Sequence, residues 1–297
     1  MKPKDLDKDI VRRTLVQPGK KISLSKDFDP AWAPKWYEKN RAQALLTQSV
    51  QRLAEFQSKL YAQDIYALLI VLQALDAAGK DGIIKHVMSG LNPQGCRVTS
   101  FKSPSETELD HDYLWRCIRA LPPRGYIGIF NRSYYEEVLV VRVHPEFLAK
   151  QRLPPEARGD GIWKRRFEEI NHFERYLHDN GIHVLKFFLH ISKEEQRRRF
   201  LERIDNPEKH WKFSNNDVKE RAFFDDYMDA YEDCLRHTST KWAPWYVIPA
   251  DNKPLARLAV GTLVCSKLSS LKLEYPKVSE EQRQKLAEAR WLLENEK

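Results

Sequence analysis

Cysteine is scarce in this chain, and none of it is paired in sequence. Cys96, Cys117, Cys234 and Cys265 are the four present, no two of them in a C-x-x-C arrangement. That excludes the zinc ribbon and the dithiol redox motif, and it fits a reduced, cytoplasmic protein. The nine histidines are scattered and form no H-E-x-x-H, so a zinc site of that kind is not expected. No apolar run reaches the roughly 20 residues that a membrane span requires. The longest candidate, residues 65–75, is far too short. The opening Met1-Lys2-Pro3-Lys4-Asp5 is polar and lacks the apolar core of a secretory signal. Internal repeats and low-complexity stretches are missing, as are the C₂H₂ finger and the RNP aromatic signature of nucleic-acid modules.

What is present suffices for a large soluble core. Of 297 residues, 42% are hydrophobic and 31% charged, enough for one large α/β domain or two small ones. The net charge of +8 favours polyanions, whether nucleic acid, anionic lipid or long phosphate chains. Charge alone does not choose among them.

Residues 1–35 mix charge, Pro and Trp without a period and read as an extended N-terminal arm. Ala44, Leu45, Val50, Leu53, Phe56 and Leu60 recur at helical spacing and predict a long helix over 36–62. Strands and helices then alternate. Strands are expected at 66–73, 97–101, 126–130, 182–191 and 245–249. Helices are expected at 80–90, at 110–121 before Pro122-Pro123, and at 162–179 after a Gly159-Asp160-Gly161 loop. Ser192-x-x-Glu195 reads as a capping box opening another helix, with an aromatic-rich helix at about 217–236 and one more from about 254. The layout is therefore an arm (1–35), a main α/β domain (36–275) with a basic segment at about 193–217, and a charged C-terminal helix (276–297). Such alternation implies a five-stranded, mostly parallel sheet covered by helices on both faces, a three-layer α/β/α fold. Ligands of these sheets bind beyond the carboxyl ends of the strands, which directs attention to the segments after residues 73, 101 and 130.

The first of these reads Gln73-Ala74-Leu75-Asp76-Ala77-Ala78-Gly79-Lys80-Asp81-Gly82. A buried strand, a loop of small residues, Gly-Lys and a helix make up the layout of a phosphate-binding loop, although the final Ser/Thr of G-x-x-x-x-G-K-[ST] is replaced by Asp81. Small residues let backbone N–H groups approach a phosphate at a helix N-terminus, and Lys80 supplies a point charge. The phosphate contacts expected are Ala77, Ala78, Gly79, Lys80, Asp81 and Gly82. A carboxylate beside phosphate repels it unless a cation lies between them. Asp76 therefore makes sense as a metal ligand or as an orienter of the attacking oxygen. Asp81 either binds metal or simply favours the helix N-terminus. The third strand runs into Asn131-Arg132-Ser133-Tyr134-Tyr135-Glu136-Glu137, where Arg132 can clamp phosphate bidentately and Asn131 stands where a carboxylate assists Mg²⁺ in P-loop proteins.

The stretches "LDAAGKDGIIKHV", "HDYLWR", "LPPRGYIGIFNRSYYEEVLVVRVHP", "ERIDNPEKHWKFSNNDVKER" and "WAPWYVIPADNK" resemble the polyphosphate kinase 2 family, in family order. The "FNRSYYEEVLVVRVH" form resembles the class that phosphorylates both nucleoside mono- and diphosphates. The resemblance implies a P-loop kinase-like fold and Mg²⁺-dependent transfer of a terminal phosphoryl group between inorganic polyphosphate and AMP or ADP, with Mn²⁺ as an alternative ion and guanine nucleotides as alternative substrates. It implies Asp76, Lys80 and Arg132 as the catalytic set. Asp112, Arg116, Asn131, Arg132 and Glu136 would serve the nucleotide, and Glu136 would permit use of AMP. A homo-oligomer is implied too. In the basic segment after Ser192, Arg198, Lys209 and Lys212 are the expected lid contacts to polyphosphate; a solvated basic face is the alternative for each. Trp211 and Phe213 are expected to anchor the lid in the core rather than to stack on a base. Two other readings stay open: an ATP-dependent nucleotide kinase of the thymidylate-kinase type, and a nucleic-acid-binding P-loop protein.

Overall fold

The computed structural model describes residues 3–159 and 161–296; Met1, Lys2, Asp160 and Lys297, which belong to segments named above, lie outside the described residues. Five strands form one sheet: β1 Ala67–Gln73, β2 Cys96–Ser100, β3 Ile127–Asn131, β4 Ile182–His190 and β5 Trp245–Pro249. Their order is β2-β3-β1-β4-β5, and every neighbouring pair is parallel. β1 is central and every one of its residues is buried. A strand covered on both faces reads as an unbroken apolar run rather than an alternation, which is why Ala67–Leu72 contains no polar residue.

Two apolar layers sandwich the sheet. On one face Leu68, Ile70 and Leu72 meet the helices Lys39–Gln63, Lys80–Val87 and Lys253–Ser270. On the other, Leu69 and Val71 meet Ile162–Asp179 and Phe224–Thr238. The three-layer α/β/α expectation is met. Among the described residues no helix is long and apolar enough to cross a membrane.

Several local expectations are corrected. The N-terminal segment is no extended arm: Pro3–Thr14 is a helix that buries Ile10 completely. Leu15 then bridges Tyr246 in antiparallel fashion and Val16 N–H bonds Trp245 O at 2.9 Å, so this segment covers the free edge of β5. In Lys39–Gln63 the buried face is Ala42, Leu46, Ser49, Leu53, Gln57 and Leu60, and Ala44 is exposed. Gln57 belongs to that face because its amide exchanges two hydrogen bonds with the backbone of Asn92, at 2.7 and 2.8 Å. The predicted helix over 110–121 shrinks to Trp115–Ile118, and a separate short helix, Glu106–Leu109, precedes it. The Asp112 carboxylate accepts the Leu114 N–H at 2.9 Å, a local turn that competes with helix. The segment 217–236 is likewise split, into Asn215–Glu220, a 3₁₀ turn at Arg221–Phe223, and Phe224–Thr238. Ser192 does cap Lys193–Asp205 through the Glu195 N–H, but the Glu195 carboxylate turns to Arg198 and Arg199 instead of closing the box.

Beneath the carboxyl ends of β3 and β4 lies a fully buried ion pair. Lys186 Nζ stands 2.6 Å from Glu174, and Tyr134 and Tyr135 each donate to the other carboxylate oxygen at 2.8 Å. Lys186 also donates to Tyr135 Oη at 2.8 Å and Thr238 O at 2.7 Å. The two tyrosines directly follow Arg132-Ser133, so this network holds the turn that carries the candidate site.

Candidate active site

β1 ends at Gln73, and the loop 74–79 delivers the chain into the helix Lys80–Val87. Gly79 has φ +113°, which glycine adopts freely. Ala77 has φ +64°, a left-handed conformation costing an L-residue about 1–2 kcal/mol. The surroundings enforce it. Arg199, buried in the helix Lys193–Asp205, donates to Ala77 O and Ala78 O at 3.0 Å and to Ala250 O at 2.6 Å. Gln196 donates to Asp76 O at 3.1 Å, and Lys80 Nζ folds back onto Ala74 O at 2.8 Å. The loop carbonyls thus have donors, while the first N–H groups of Lys80–Val87 have no acceptor within their own helix. An anion cradle needs that combination.

β3 brings the second half of the site. Its register sets Asn131 opposite Leu72, so the residues after both strands emerge side by side. Arg132 also has positive φ, +63°, and its N–H bonds Leu72 O at 3.0 Å. Its guanidinium forks, with Nη2 at 2.9 Å from Asp76 Oδ1 and Nη1 at 3.3 Å from Glu136 Oε2. Strain of this kind gathers where a precise side-chain position is required. Asn131 donates to Asp81 at 3.3 Å, and Lys212 of the lid segment approaches the same carboxylate at 3.6 Å.

Electrostatics follow from this crowding. Burial opposes the ionisation of Asp76, but Lys80, Arg132 and Arg203 outweigh it and hold the carboxyl below its usual range. Lys80 is pushed down to about 8 by burial and by the charge of Arg132, against the pull of Asp76, Glu136 and Asp81. Glu136 raises the proton affinity of Arg132 above its ordinary level, outweighing burial, with Asp76 adding to the effect.

Two cavities meet these residues, and a third lies apart from them. One of about 320 Å³ follows the loop and is lined by seven cations (Lys80, Arg199, Arg203, Lys209, Lys212, Lys253, Arg257) against three carboxylates (Asp76, Asp81, Glu202). A small one, about 40 Å³, lies on the other side of Asp76 among Arg132, Glu136, Asp217 and Tyr231. The third, about 480 Å³, contains Asp112 and Arg116 together with Glu137 and Arg166.

The sequence-expected residues are therefore only partly united. Asp76, Lys80, Arg132, Glu136, Asn131, Asp81 and the loop Ala77–Gly82 come together, with Lys209 and Lys212 above them. Asp112 and Arg116 line the separate, larger cavity. They do not pair with each other; Arg116 donates to Lys102 O at 2.8 Å and faces Glu108 at 3.9 Å. Arg198 is bound to Glu195 at 2.6 Å and does not line the cation-rich cavity. Trp211 is 78% exposed, with Lys212 over its ring at 4.8 Å, so it does not anchor the lid. Sequence reasoning missed Gln196, Arg199, Arg203, Lys253 and Arg257. Helical geometry contained part of the answer: Gln196, Arg199 and Arg203 fall on one face at i, i+3 and i+7, and Arg198 does not.

Among the described residues no group of three or more His, Cys, Asp or Glu could hold a metal by itself. Asp76 is a single, partly exposed carboxylate in the loop after β1. That suits Mg²⁺, which keeps waters and takes one or two carboxylates together with substrate phosphates.

The family model described as Polyphosphate kinase 2 matches residues 36–276. The ADP-polyphosphate phosphotransferase of Rhodopseudomonas palustris is 52% identical over 277 residues, 93% of this chain and 95% of that one. The AMP/ADP-polyphosphate phosphotransferase of Meiothermus ruber is 45% identical over 268 residues, 90% and 96% respectively. The crystal structure of polyphosphate kinase 2 from Arthrobacter aurescens superposes with a TM-score of 0.84 at 39% identity, covering 97% of each chain. With the loop after β1, the forked arginine after β3 and these similarities over nearly its full length, the chain belongs to the polyphosphate kinase 2 family.

Proposed function

We propose that this protein transfers the terminal phosphoryl group of inorganic polyphosphate to AMP and ADP, forming ADP and ATP. The observation that carries the reading is the position of Asp76, paired with Arg132, between a cation-lined cavity and a smaller one bearing Arg132 and Glu136. The first suits a chain of phosphates and the second the phosphate end of an acceptor. The names of the two relatives support the same donor and acceptors and favour them over ATP-dependent or nucleic-acid-binding alternatives.

In this reading Lys80 and the N–H groups that follow it hold the end of the chain, and Arg132 gathers charge developing on the transferred group. Fixed cations of this kind stabilise a transition state without reorganising at the moment of reaction. Asp76 is kept ionised by its neighbours and orients the attacking phosphate oxygen. Mg²⁺ or Mn²⁺, when bound at Asp76, supplies further charge neutralisation between carboxylate and phosphates. Glu136 fixes the second arm of Arg132 on the acceptor side. The lid segment with Lys209 and Lys212 excludes water from the reacting groups.

The test is incubation with Mg²⁺, long-chain polyphosphate and either AMP or ADP, reading the nucleotides formed. ATP should appear from ADP, and ADP followed by ATP from AMP; no product from either acceptor removes the reading. In the same assay Glu136→Asn is expected to lower kcat/KM for AMP more than for ADP. The loss should be about tenfold, since the ionic part of one charge-assisted hydrogen bond disappears. Equal losses on both acceptors would dismiss the selectivity role.

A pH dependence follows from Lys80. Its ammonium is lost near pH 8 in the free enzyme, so kcat/KM for polyphosphate should decline above that pH. Bound phosphate favours the charged form, so kcat should decline only at higher pH. A flat kcat/KM profile between pH 7 and about 9.5 would contradict the placement of Lys80.

A further inference from the structure

The two edges of the sheet are treated differently. Leu15 and Val16 cover β5, whereas no strand or bridge among the described residues covers β2. Phe101 N–H bonds Asn131 O at 3.0 Å, so alternation along the strand turns the backbone of Arg97 and Thr99 toward β3 as well. The backbone groups of Cys96, Val98 and Ser100 therefore point outward. Cys96 N–H turns back to Pro93 O. Cys96 O, and the N–H and C=O groups of Val98 and Ser100, meet no partner among the described residues. Arg97, Val98 and Ser100 are exposed, Val98 to 46%. Such an open row of donors and acceptors is a template for a further strand.

The strand is complementary to itself. An antiparallel copy centred on Val98 sets Val98 against Val98, where an outward-facing pair exchanges both N–H···O bonds. Ser100 N–H then reaches Cys96 O of the other copy, and the two-fold axis repeats that bond. Arg97 is the single charge in Cys96–Ser100, and it falls opposite Thr99. A centre one residue earlier would set Arg97 against itself, and like charges directly opposite are destabilising. Side chains alternate between faces, so Val98 shares the face of Cys96, which packs against the layer containing the helix Lys39–Gln63. Tyr61 of that helix is 49% exposed and adjoins the strand: a Cβ added at Gly95 would lie 3.2 Å from its Cδ2. A hollow of about 160 Å³, lined by Gln57, Tyr61 and Gly95, opens beside it. A pair of such short strands falls below the roughly 1,200 Å² of a stable interface. Val98, Tyr61 and the hollow, each doubled by the two-fold axis, add the apolar surface that the strands lack.

We propose that β2 is the seam between two copies of this chain, paired antiparallel about Val98 so that one sheet runs through both. The interface is isologous: each copy offers the same patch to the other. The covered β5 edge keeps the growth from continuing into a fibre, since a pair joined at β2 has no second open edge to offer. Asp76, Lys80 and Arg132 lie on β1 and β3 loops away from the seam, so each copy keeps its own reacting groups. The inference does not depend on which donor or acceptor the site takes.

The test uses the whole chain in sedimentation velocity over a range of concentrations, with Val98→Pro, Val98→Ile and Ser100→Cys. The parent should dimerise. Proline removes the outward N–H of Val98 from both copies, and an edge strand tolerates it at a position whose N–H faces solvent. The dissociation constant should rise about tenfold or more with Val98→Pro and stay near the parent value with Val98→Ile, while circular dichroism shows Val98→Pro still folded. Ser100→Cys supplies a reading that does not rely on a weakened strand. Directly opposite bonded residues have Cα atoms about 5.5 Å apart, inside the range of about 4.4–6.8 Å that a disulfide spans. Mild oxidation with diamide should therefore link Ser100→Cys to Cys96 of the other copy, and adding Cys96→Ser should abolish the cross-link. A parent that stays monomeric at every concentration overturns the seam. So does a dimer that Val98→Pro leaves intact and Ser100→Cys does not cross-link, since its copies then meet on another face.

Discussion

Replacing Lys80 with methionine is expected to reduce turnover by at least about 10²–10³-fold, the usual effect of removing one fixed stabiliser of transition-state charge, while leaving the fold at least as stable as before. The two halves of this expectation have one origin. Lys80 is bonded to Ala74 O and crowded by Arg132, and its ammonium is held down to about 8. A lysine depressed below its ordinary 10.5 is charged at the expense of the folded state. Below about pH 8 the native protein carries this penalty in full. Between there and 10.5 the unfolded chain binds more protons than the native one, so stability from this group rises with pH. Methionine keeps the stem and removes the penalty. Steady-state kinetics and a thermal melt at neutral pH check both halves. Turnover within a factor of about ten of the parent would remove Lys80 from the reaction.

The largest effect on stability is expected at the opposite kind of lysine. Lys186→Met should cost about 3–5 kcal/mol, because breaking a buried ion pair leaves the remaining charge uncompensated. Lys186 and Glu174 are both completely buried, 2.6 Å apart. Burial pushes Glu174 toward its neutral form, against the pull of Lys186 and the hydroxyls of Tyr134 and Tyr135. Burial lowers the proton affinity of Lys186, and Glu174 opposes it. Without the lysine the carboxylate must take a proton or remain unpaired. The double variant Lys186→Met/Glu174→Gln should recover much of the loss, since glutamine keeps an acceptor for both tyrosines. Urea denaturation of the single and double variants checks this. A loss below about 1 kcal/mol in the single variant would show the pair to be dispensable. Activity should fall with stability in the single variant, because Tyr134 and Tyr135 carry the turn from Arg132 to Glu136.

Much of the architecture was legible because burial on both faces of a sheet leaves a strong mark. The run at β5, Trp245–Pro249, and the helix Ile162–Asp179 were read with the bounds they have. The turn after β1 was legible too, since a buried strand running into small residues and Gly79 leaves few ways to enter the next helix. What sequence could not resolve was which side of a helix faces inward where charges are dense. Arg198 and Arg199 are neighbours of identical chemistry, yet one binds Glu195 at the surface and the other is buried against loop carbonyls. The distinction belongs to helix rotation, which apolar periodicity does not fix in a segment as polar as Lys193–Asp205. Similarly, the helix predicted over 110–121 was defeated by one side chain, Asp112, accepting the N–H of Leu114. The separation of Arg116 from Arg132 into different cavities depends on loop packing between β2 and β3, for which the sequence provides no period.

Arg199 has a mechanical consequence as well. One guanidinium ties the helix Lys193–Asp205 to Ala77 and Ala78 on one side and to Ala250 and Asp251 on the other. The first half of that helix is thereby riveted to the segments that follow central β1 and edge strand β5. Any swing of the segment bearing Lys209 and Lys212 must pivot beyond residue 199, so the fulcrum lies midway along the helix and the travelling arm is shorter than the chain's own punctuation at Ser192 would suggest.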